Sequence, residues 1–273
     1  MIINKKRIRY LILILLILFG ISSFFKLQQK MFFHPTHDKE AYKELEQIEI
    51  AEKININDKL YGWLIHNSVN EKAPLLIFFG GNMQNSSNTC LNIIKEEIKY
   101  FGKYNILIID YPGYGLSPGT PSNKTMFKMA KEVYDYALTR KDVDKDKICV
   151  LGFSIGTGVA TYLASERDID GLILIAPYDK ALSLYNNCLN IFHGPLKILA
   201  RYKFESIKYA KDVKVSPLIF SSYDDEVIDY NLSVNLSNYF SNIYEFVTLD
   251  NVGHNEYFSQ KIVLEKIKGY LSK

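Results

Sequence analysis

The chain of 273 residues has only three cysteines and one tryptophan, and it contains neither an internal repeat nor a long low-complexity linker. Cys90, Cys149 and Cys188 are odd in number, and their spacing matches no metal site. A chain of this length can bury roughly 70–75% of its unfolded surface, so it needs no disulfide or metal to hold a core. The composition, 48% apolar and 23% charged, excludes collagen-like, disulfide-scaffold and disordered classes.

Acidic residues are absent from residues 1–37, which instead carry six basic side chains. These are Lys5, Lys6, Arg7, Arg9, Lys26 and Lys30. Because the net charge of the whole chain is +3, removing these six positive charges leaves −3 on residues 38–273. A slightly acidic body lacks the basic footprint of a nucleic-acid-binding protein, so we expect no nucleic-acid partner.

An uncharged run rich in Leu and Ile extends from Tyr10 to Phe25. It reaches the ~20 residues of a membrane helix when the aliphatic parts of Arg9 and Lys26 are counted. We interpret residues 1–30 as a retained signal anchor, because the run exceeds the ~7–15 apolar residues usual in a cleaved signal peptide. The alternative is a secreted protein cleaved at the weak small-residue site of Gly20 and Ser22.

The four cations in the first nine residues favour a cytoplasmic N-terminus. The remainder of the chain, residues 31–273, is then expected to form one domain on the outer side of the membrane.

Short apolar runs alternate with segments of helical periodicity in this domain. Strands buried on both faces are predicted at Leu75–Phe79, Ile106–Asp110, Ile148–Gly152, Leu172–Ile175, Leu218–Ser222 and Phe246–Leu249. Helices are predicted at Ser86–Tyr100, Asn123–Thr139, Ile155–Glu166, Asp229–Phe240 and Asn255–Leu271. A hairpin is predicted at Glu49–Ile56 and Leu60–His66. The alternation predicts an α/β fold with one mainly parallel sheet.

One interval, from Pro177 to Val215, has no strand signal and is rich in aromatic residues. Structureless loops of that length are uncommon in compact domains. We therefore predict a small helical cap at about residues 178–214.

A candidate nucleophile follows the predicted strand at Ile148–Gly152. The sequence Gly152-Phe153-Ser154-Ile155-Gly156 matches the turn between a strand and a helix that presents a serine above the sheet. The two glycines are needed because a Cβ at either position would clash in so sharp a turn. The pattern predicts Ser154 as the nucleophile.

A base and an acid stand in the expected order after Ser154. His254 follows the last predicted strand, and both Asp224 and Asp225 follow the strand before it. A nucleophilic serine needs a histidine base that is oriented by a carboxylate. The other histidines, His34, His37, His66 and His193, lie in the tether, the hairpin and the cap, and we expect them to be structural or solvated, although His193 could contact substrate.

Two backbone N–H donors are needed to stabilise an oxyanion. The residue after the nucleophile, Ile155, should supply one. The loop after Leu75–Phe79, which contains Gly80 and Gly81, should supply the other from Asn82, or else from Met83.

Together these motifs resemble the α/β-hydrolase superfamily, and most closely its membrane-anchored serine-hydrolase branch, sometimes labelled serine-aminopeptidase-like. The similarity extends from about Met31 to the C-terminus. Besides the Ser154 motif it is carried by Leu60-Tyr61-Gly62-Trp63, Phe78-Phe79-Gly80-Gly81-Asn82, Asp110-Tyr111-Pro112-Gly113-Tyr114-Gly115-Leu116-Ser117, Asp225-Glu226-Val227-Ile228 and Gly253-His254-Asn255. The resemblance implies an eight-stranded sheet and a Ser154–Asp225–His254 triad, with Asp225 rather than Asp224 as the acid.

The sequence departs from the family pattern at three positions. Gly80 replaces a usual histidine, Pro112 stands where arginine is frequent, and Asp229 stands where proline usually occurs. None of the three belongs to the triad, and Gly80 retains its backbone donor.

We therefore expect a serine hydrolase that needs no cofactor or metal and that cleaves an ester or thioester of a small-molecule or lipid-like acyl substrate. A peptidase is one alternative, and it would need an acidic cap residue to hold a peptide amine, for which Glu205 is the candidate. A non-catalytic, membrane-tethered binding protein of the same fold is the other.

Overall fold

The computed structural model describes residues 5–68, 72–188 and 192–273. Residues 1–4 of the predicted anchor, residues 189–191 of the predicted cap and the side chain of Cys188 lie outside the described residues. The chain divides into two compact units, residues 1–34 and 35–273. Each unit is described by itself.

The first unit is built on one long helix, α1 (Lys5–Phe32). Its segment Ile8–Phe32 contains an 18-residue window with a mean hydropathy of 2.3, and by length and composition the segment could cross a membrane. A signal sequence near an N-terminus can have the same length and composition.

The second unit contains an eight-stranded sheet. The strands are β1 (Ala51–Ile56), β2 (Leu60–Ile65), β3 (Ala73–Phe79), β4 (Asn105–Ile109), β5 (Val143–Phe153), β6 (Gly171–Ile175), β7 (Leu218–Ser222) and β8 (Glu245–Leu249). Their spatial order is β1-β2-β4-β3-β5-β6-β7-β8. The pairs β1–β2 and β2–β4 are antiparallel and the other pairs are parallel. The mainly parallel sheet predicted from the alternation is confirmed.

Three residues, from Asn57 to Lys59, connect β1 and β2. They contain a turn in which Lys59 N donates to Ile56 O at 3.1 Å and the central residues Asn57 and Asp58 have φ angles of 54° and 52°. Two successive positive φ angles are typical of the type I′ turn, which matches the twist of the two strands. Asn and Asp tolerate this conformation better than other residues with a side chain.

Helices flank the sheet and fill most of the intervals between strands. They are α2 (Lys39–Leu45), α3 (Ser86–Asn92), α4 (Asn123–Thr139), α5 (Ile155–Glu166), α6 (Ala181–Cys188), α7 (Ser206–Ala210), α8 (Tyr230–Ser237) and α9 (Lys261–Leu271). The bounds of α4 and α5 agree with the prediction. The helix α4 begins where predicted because the Ser122 hydroxyl accepts a hydrogen bond from the Thr125 N–H as an N-cap.

The region between β6 and β7 contains three short helical segments among its described residues. It contains α6, a 3₁₀ helix at Gly194–Leu199, and α7. Tyr178 and Phe204 pack against Gly158, so this region is attached beside the first turn of α5.

Three helical segments differ from the sequence expectation. The helix predicted at Asn255–Leu271 begins, as α9, only at Lys261. The structure contains α2, which was not predicted, and it begins where Asp38 accepts hydrogen bonds from Glu40 N and Ala41 N. The helix predicted at Ser86–Tyr100 is α-helical only to Asn92 and continues as a π-helical turn (Ile93–Glu97) and a 3₁₀ turn (Ile98–Tyr100). A wide π turn shifts the face presented by the residues that follow it.

The π-helical turn buries Glu97, whose side chain makes no hydrogen bond or ion pair with the rest of the described chain. Burial, followed by repulsion from Glu96, raises the pKa of Glu97 to about 7. Between the usual pKa near 4.5 and pH 7 the folded state therefore holds more protons than the unfolded state, and stability falls as pH rises.

We predict that Glu97→Gln raises the free energy of unfolding at pH 8 by roughly 2–3 kcal/mol, because it removes the cost of a buried unpaired charge. The gain should vanish near pH 3.5, about one unit below the usual pKa of 4.5, where Glu97 is protonated in both states. Urea unfolding at the two pH values measures this difference. Glu96→Gln, at the exposed neighbour, is the control and should change stability by less than about 0.5 kcal/mol. A gain independent of pH would contradict the assignment.

Candidate active site

The predicted nucleophile lies where β5 ends and α5 begins. Ser154 has φ 53° and ψ −121°, a conformation that is unfavourable for a residue with a side chain. It is fixed by hydrogen bonds from Ser154 N to Ile175 O (2.9 Å) and from Thr157 N to Ser154 O (2.9 Å). Such strain persists only where the surrounding structure holds it.

The glycines on both sides of Ser154 permit the sharp turn, as the sequence predicts. A Cβ on Gly152 would lie 2.6 Å from Gly156 O, and a Cβ on Gly156 would lie 2.1 Å from Phe79 O. Real atoms cannot approach so closely. Glycine at position 152 therefore lets α5 turn back against β5, and glycine at position 156 lets α5 pack against the end of β3.

A chain of hydrogen bonds connects the three predicted triad residues. His254 Nε2 lies 2.9 Å from Ser154 Oγ, and His254 Nδ1 lies 2.9 Å from Asp225 Oδ2. Since a carboxylate only accepts hydrogen bonds, Nδ1 carries the imidazole proton and Nε2 faces the serine hydroxyl as an acceptor. The three residues follow β5, β7 and β8, so parallel strands bring them to one edge of the sheet.

Asp225 and not Asp224 contacts the histidine. Asp225 is buried, whereas Asp224 is exposed and accepts a hydrogen bond from Asn251 N at 2.7 Å. The Asp225 carboxylate also accepts hydrogen bonds from Val227 N (2.9 Å) and Ile228 N (2.8 Å). The geometry therefore separates two aspartates that the residue pattern alone leaves equivalent.

The carboxyl group of Asp225 is ionised despite its burial. Burial would raise its pKa, but the hydrogen bond and charge of His254, with the two backbone donors, hold the pKa below its usual value. Tyr257 adds a further donor, because its hydroxyl lies 3.0 Å from Asp225 Oδ2. Burial and the Asp225 charge raise the pKa of Tyr257, which keeps this hydroxyl protonated. The sequence analysis missed this donor.

The loop after β3 lies beside the nucleophile. Phe79 pairs with Gly152 in the sheet register, and a Cβ on Gly81 would lie 3.5 Å from the Ser154 Cβ. Ile155 is the first residue of α5, and a first helical N–H has no acceptor within its own helix. The two segments expected to supply oxyanion donors, at Asn82 and Ile155, therefore adjoin Ser154.

Two tyrosines of the loop after β4 hold the loop after β3. The Tyr111 hydroxyl donates to Gly80 O at 2.8 Å, and the Tyr114 hydroxyl donates to Asn82 Oδ1 at 2.7 Å. The Gln84 side chain accepts from Gly81 N at 2.7 Å. The glycine-spaced segment at residues 110–117 thus supports the candidate oxyanion loop.

Known proteins share the fold of this chain. A family described as having the α/β hydrolase fold matches residues 74–204. The Pyrococcus furiosus esterase Pf2001 superposes with a TM-score of 0.66 at 17% identity, over 88% of this chain and 98% of the esterase. The chain belongs to the α/β-hydrolase superfamily.

Two relatives of this chain are known from their sequences. The α/β hydrolase domain-containing protein aho-3 of Caenorhabditis elegans is 29% identical over 167 residues, which cover 61% of this chain and 48% of that protein. The human α/β hydrolase domain-containing protein 17C is 26% identical over 232 residues, which cover 85% of this chain and 68% of that protein. The matched region is thus about half of the first relative and about two thirds of the second.

The other histidines of the chain take no part in the hydrogen bonds that join Ser154, His254 and Asp225. His37 Nδ1 lies 2.6 Å from Gly115 O, and His66 Nε2 lies 2.7 Å from Glu52 Oε2. His34 belongs to the first unit, and His193 is exposed in the segment between β6 and β7.

One cluster in the described residues has the composition of a metal site, at Glu52, His66 and Asp142. The guanidinium of Arg140 bridges both carboxylates, with Nη2 2.8 Å from Glu52 Oε2 and 2.6 Å from Asp142 Oδ2. Hydrogen bonding to Arg140 lowers the pKa of Glu52 and of Asp142. The cluster is an ion-pair network that joins β1 to the start of β5.

We predict that Arg140→Met lowers the free energy of unfolding at pH 7 by about 1–3 kcal/mol, because two half-buried carboxylates lose their partner. Folded-state pKa values below the usual ones stabilise the protein above pH ~4.5, so the difference from wild type should shrink as pH falls through that range. Arg167→Met is the control, since its pair with Asp135 is more exposed and should contribute less than about 1 kcal/mol. Equal losses in both variants, in urea titrations, would refute the network's role.

Proposed function

We propose that this chain is a serine hydrolase that cleaves an ester or thioester bond through Ser154, His254 and Asp225. One observation carries the proposal: the continuous hydrogen-bonded series from the Ser154 hydroxyl through both ring nitrogens of His254 to Asp225. A general base must lie within hydrogen-bond reach of the proton that it removes, and His254 Nε2 meets this condition at 2.9 Å from Ser154 Oγ.

In the proposed first step, His254 Nε2 removes the proton of Ser154 Oγ as that oxygen attacks the carbonyl carbon of the substrate. Asp225 holds Nδ1–H and stabilises the imidazolium that forms. The backbone N–H groups of Ile155 and Asn82 stabilise the negative charge on the carbonyl oxygen. When the tetrahedral intermediate collapses, the imidazolium gives its proton to the leaving alcohol or thiol.

The second step releases the acyl group. A water molecule loses a proton to His254 Nε2 and attacks the acyl-enzyme carbonyl. Its oxygen becomes part of the carboxylic acid product, and Ser154 Oγ recovers a proton from the imidazolium.

The proposal includes a membrane-anchored domain organisation. Residues 1–30 form a single-pass anchor with a cytoplasmic N-terminus, and residues 31–273 form the hydrolase domain outside, with the cap at about residues 178–214. The apolar length of α1 and the cations before it support this arrangement. Secretion after signal cleavage is the competing outcome.

A peptidase receives no support from the cap. Glu205, the carboxylate that could hold a peptide amine, accepts a hydrogen bond from Lys208 Nζ at 2.6 Å. Its charge is already paired, so an incoming ammonium group would have to displace Lys208.

Labelling with a fluorophosphonate probe tests the nucleophile. Wild type should be modified covalently, and Ser154→Ala should not, because the probe needs an activated serine oxygen. Ser165→Ala, in the same helix, is the control and should be labelled as wild type. Failure of wild type to react under conditions where a known serine hydrolase is labelled would reject the catalytic function and favour a non-catalytic binding protein.

The two adjacent aspartates offer a matched test of the acid. Asp225→Asn should lower kcat for a p-nitrophenyl ester about a thousandfold to ten-thousandfold, because an amide no longer fixes the His254 tautomer. Asp224→Asn should stay within about threefold of wild type, since its side chain is exposed and bonds a loop amide. Steady-state kinetics of both variants, with circular dichroism to verify folding, gives the comparison. Similar losses in the two variants would overturn the assignment of Asp225.

A further inference from the structure

We propose that a cleft beside the π-helical turn is a second ligand site, which binds a primary ammonium group carried on a short apolar stem. The site, called here the ammonium cleft, is lined by Gln84, by the turn at Ile93–Glu97 and by residues from the segment 255–259, and its volume is about 260 Å³. None of the three triad residues lines it. The inference therefore does not rest on the proposed function.

The carboxyl group of Glu97 is the buried polar group that points to a ligand. Glu97 is only 9% exposed, lines the cleft, and has no hydrogen-bond or ion-pair partner among the described residues. The other buried carboxylates of the described chain each accept hydrogen bonds from at least two donors, and they are Asp110, Asp179 and Asp225. Buried polar groups are almost always paired, so an unpaired carboxylate that lines a cleft indicates a partner supplied from outside the chain.

The charge of the cleft selects a cation. Glu96 lines it as a second carboxylate, and no basic side chain of the described residues lines it. The adjacent Lys95 is paired elsewhere, since its Nζ lies 2.7 Å from Glu44 Oε1. Burial and then repulsion from Glu96 raise the pKa of Glu97 to about 7, and no basic group counters them. A positive charge bound in the cleft would relieve both effects.

The walls of the cleft favour an organic cation over a metal ion. Phe78 and Phe258 line it with their ring centres 5.7 Å apart, so an apolar stem can pack on them. Asn92 and Asn255 also line it, and their amide carbonyl oxygens are acceptors for the N–H groups of an ammonium ion. A calcium ion takes roughly six to eight closely spaced oxygens, whereas this cleft is many times larger than one ion and has two aromatic walls.

The local structure around Glu97 carries two costs that a ligand site accounts for. Ile98 N donates to Ile93 O across the π turn, and such turns are rare and frequently occur at functional sites. The unpaired carboxylate lowers stability at neutral pH. Proteins retain unfavourable local features of this kind chiefly where a functional site needs them.

A change in thermal stability on binding tests the ammonium cleft. Full-length protein in a zwitterionic detergent at pH 8 is heated with about 20 mM n-butylammonium chloride or with an equal concentration of sodium chloride. The ammonium salt should raise the unfolding midpoint of wild type by about 2–4 °C, because it binds the folded state with a millimolar dissociation constant. Neutral n-butanol and calcium chloride, at the same concentration, should each raise it by less than about 1 °C.

A pair of glutamate variants locates the binding. Glu97→Gln should reduce the response to n-butylammonium to less than about 1 °C, because the charge that holds the ammonium group is removed. Glu265→Gln makes the same change of charge at an exposed position of α9 that does not line the cleft, and it should respond as wild type does. Without ligand, Glu97→Gln should unfold at a higher midpoint than wild type at this pH, so its lost response is not a defect in folding.

Absence of a response in wild type, or an equal response in Glu97→Gln, refutes the ammonium cleft. A response to calcium chloride or to n-butanol as large as that to n-butylammonium refutes it as well, because the ligand would then be a metal ion or an apolar molecule. Ser154→Ala should respond as wild type does, whereas loss of its response would place the amine at the triad instead. None of these measurements needs catalysis, so the site can be confirmed even if Ser154 proves unreactive.

Discussion

The close approach of α5 to the end of β3 is the contact on which the rest of the site depends. A Cβ on Gly156 would lie 2.1 Å from Phe79 O, so the helix and strand meet with no side chain between them. The register pair of Phe79 and Gly152 fixes where along the strands this contact lies. Ser154 is consequently presented beside the loop after β3, in the crevice where the order of strands reverses, and such crevices bind ligands in open α/β sheets.

Much of this architecture could be predicted because its signals are local. Buried parallel strands are continuous apolar runs, and the bounds of α4 and α5 follow from a serine cap and from the turn at Ser154. The choice between Asp224 and Asp225 is different, because adjacent residues of the same type differ only in the direction of their side chains. That direction is set by the backbone of the loop after β7, where Val227 N and Ile228 N both point at Asp225.

Contacts between segments that are distant in the sequence could not be predicted from sequence patterns. Tyr257 contacts Asp225 across 32 residues, and Thr36 contacts Met83 across 47. Neither residue belongs to a motif, and each has its role only because the sheet order brings the segments together. The π turn that buries Glu97 was missed for a similar reason, since an apolar helical pattern with one carboxylate does not show where a turn widens.

Buried carboxylates in this fold differ in pKa according to the donors that surround them. Asp225 accepts hydrogen bonds from two backbone N–H groups, His254 and Tyr257, and its pKa is lowered. Asp110 accepts from Ser86 N and Leu116 N, which only partly offset its burial, and its pKa is raised. Burial alone therefore does not set the direction in which the pKa of a carboxyl group shifts, because the number and charge of its donors also count.

The loop after β3 shows how the fold accommodates a departure from the family pattern. Gly80 supplies no side chain where a histidine is usual, so the loop cannot be held from that position. It is held instead by Tyr111 on Gly80 O, by Gln84 on Gly81 N and by Thr36 on Met83 O. Two other segments and a contact within the loop thus hold Gly80, Gly81 and Met83 without the missing ring. Because Thr36 lies at the start of the second unit, the first residues of this unit also help to shape the candidate oxyanion loop.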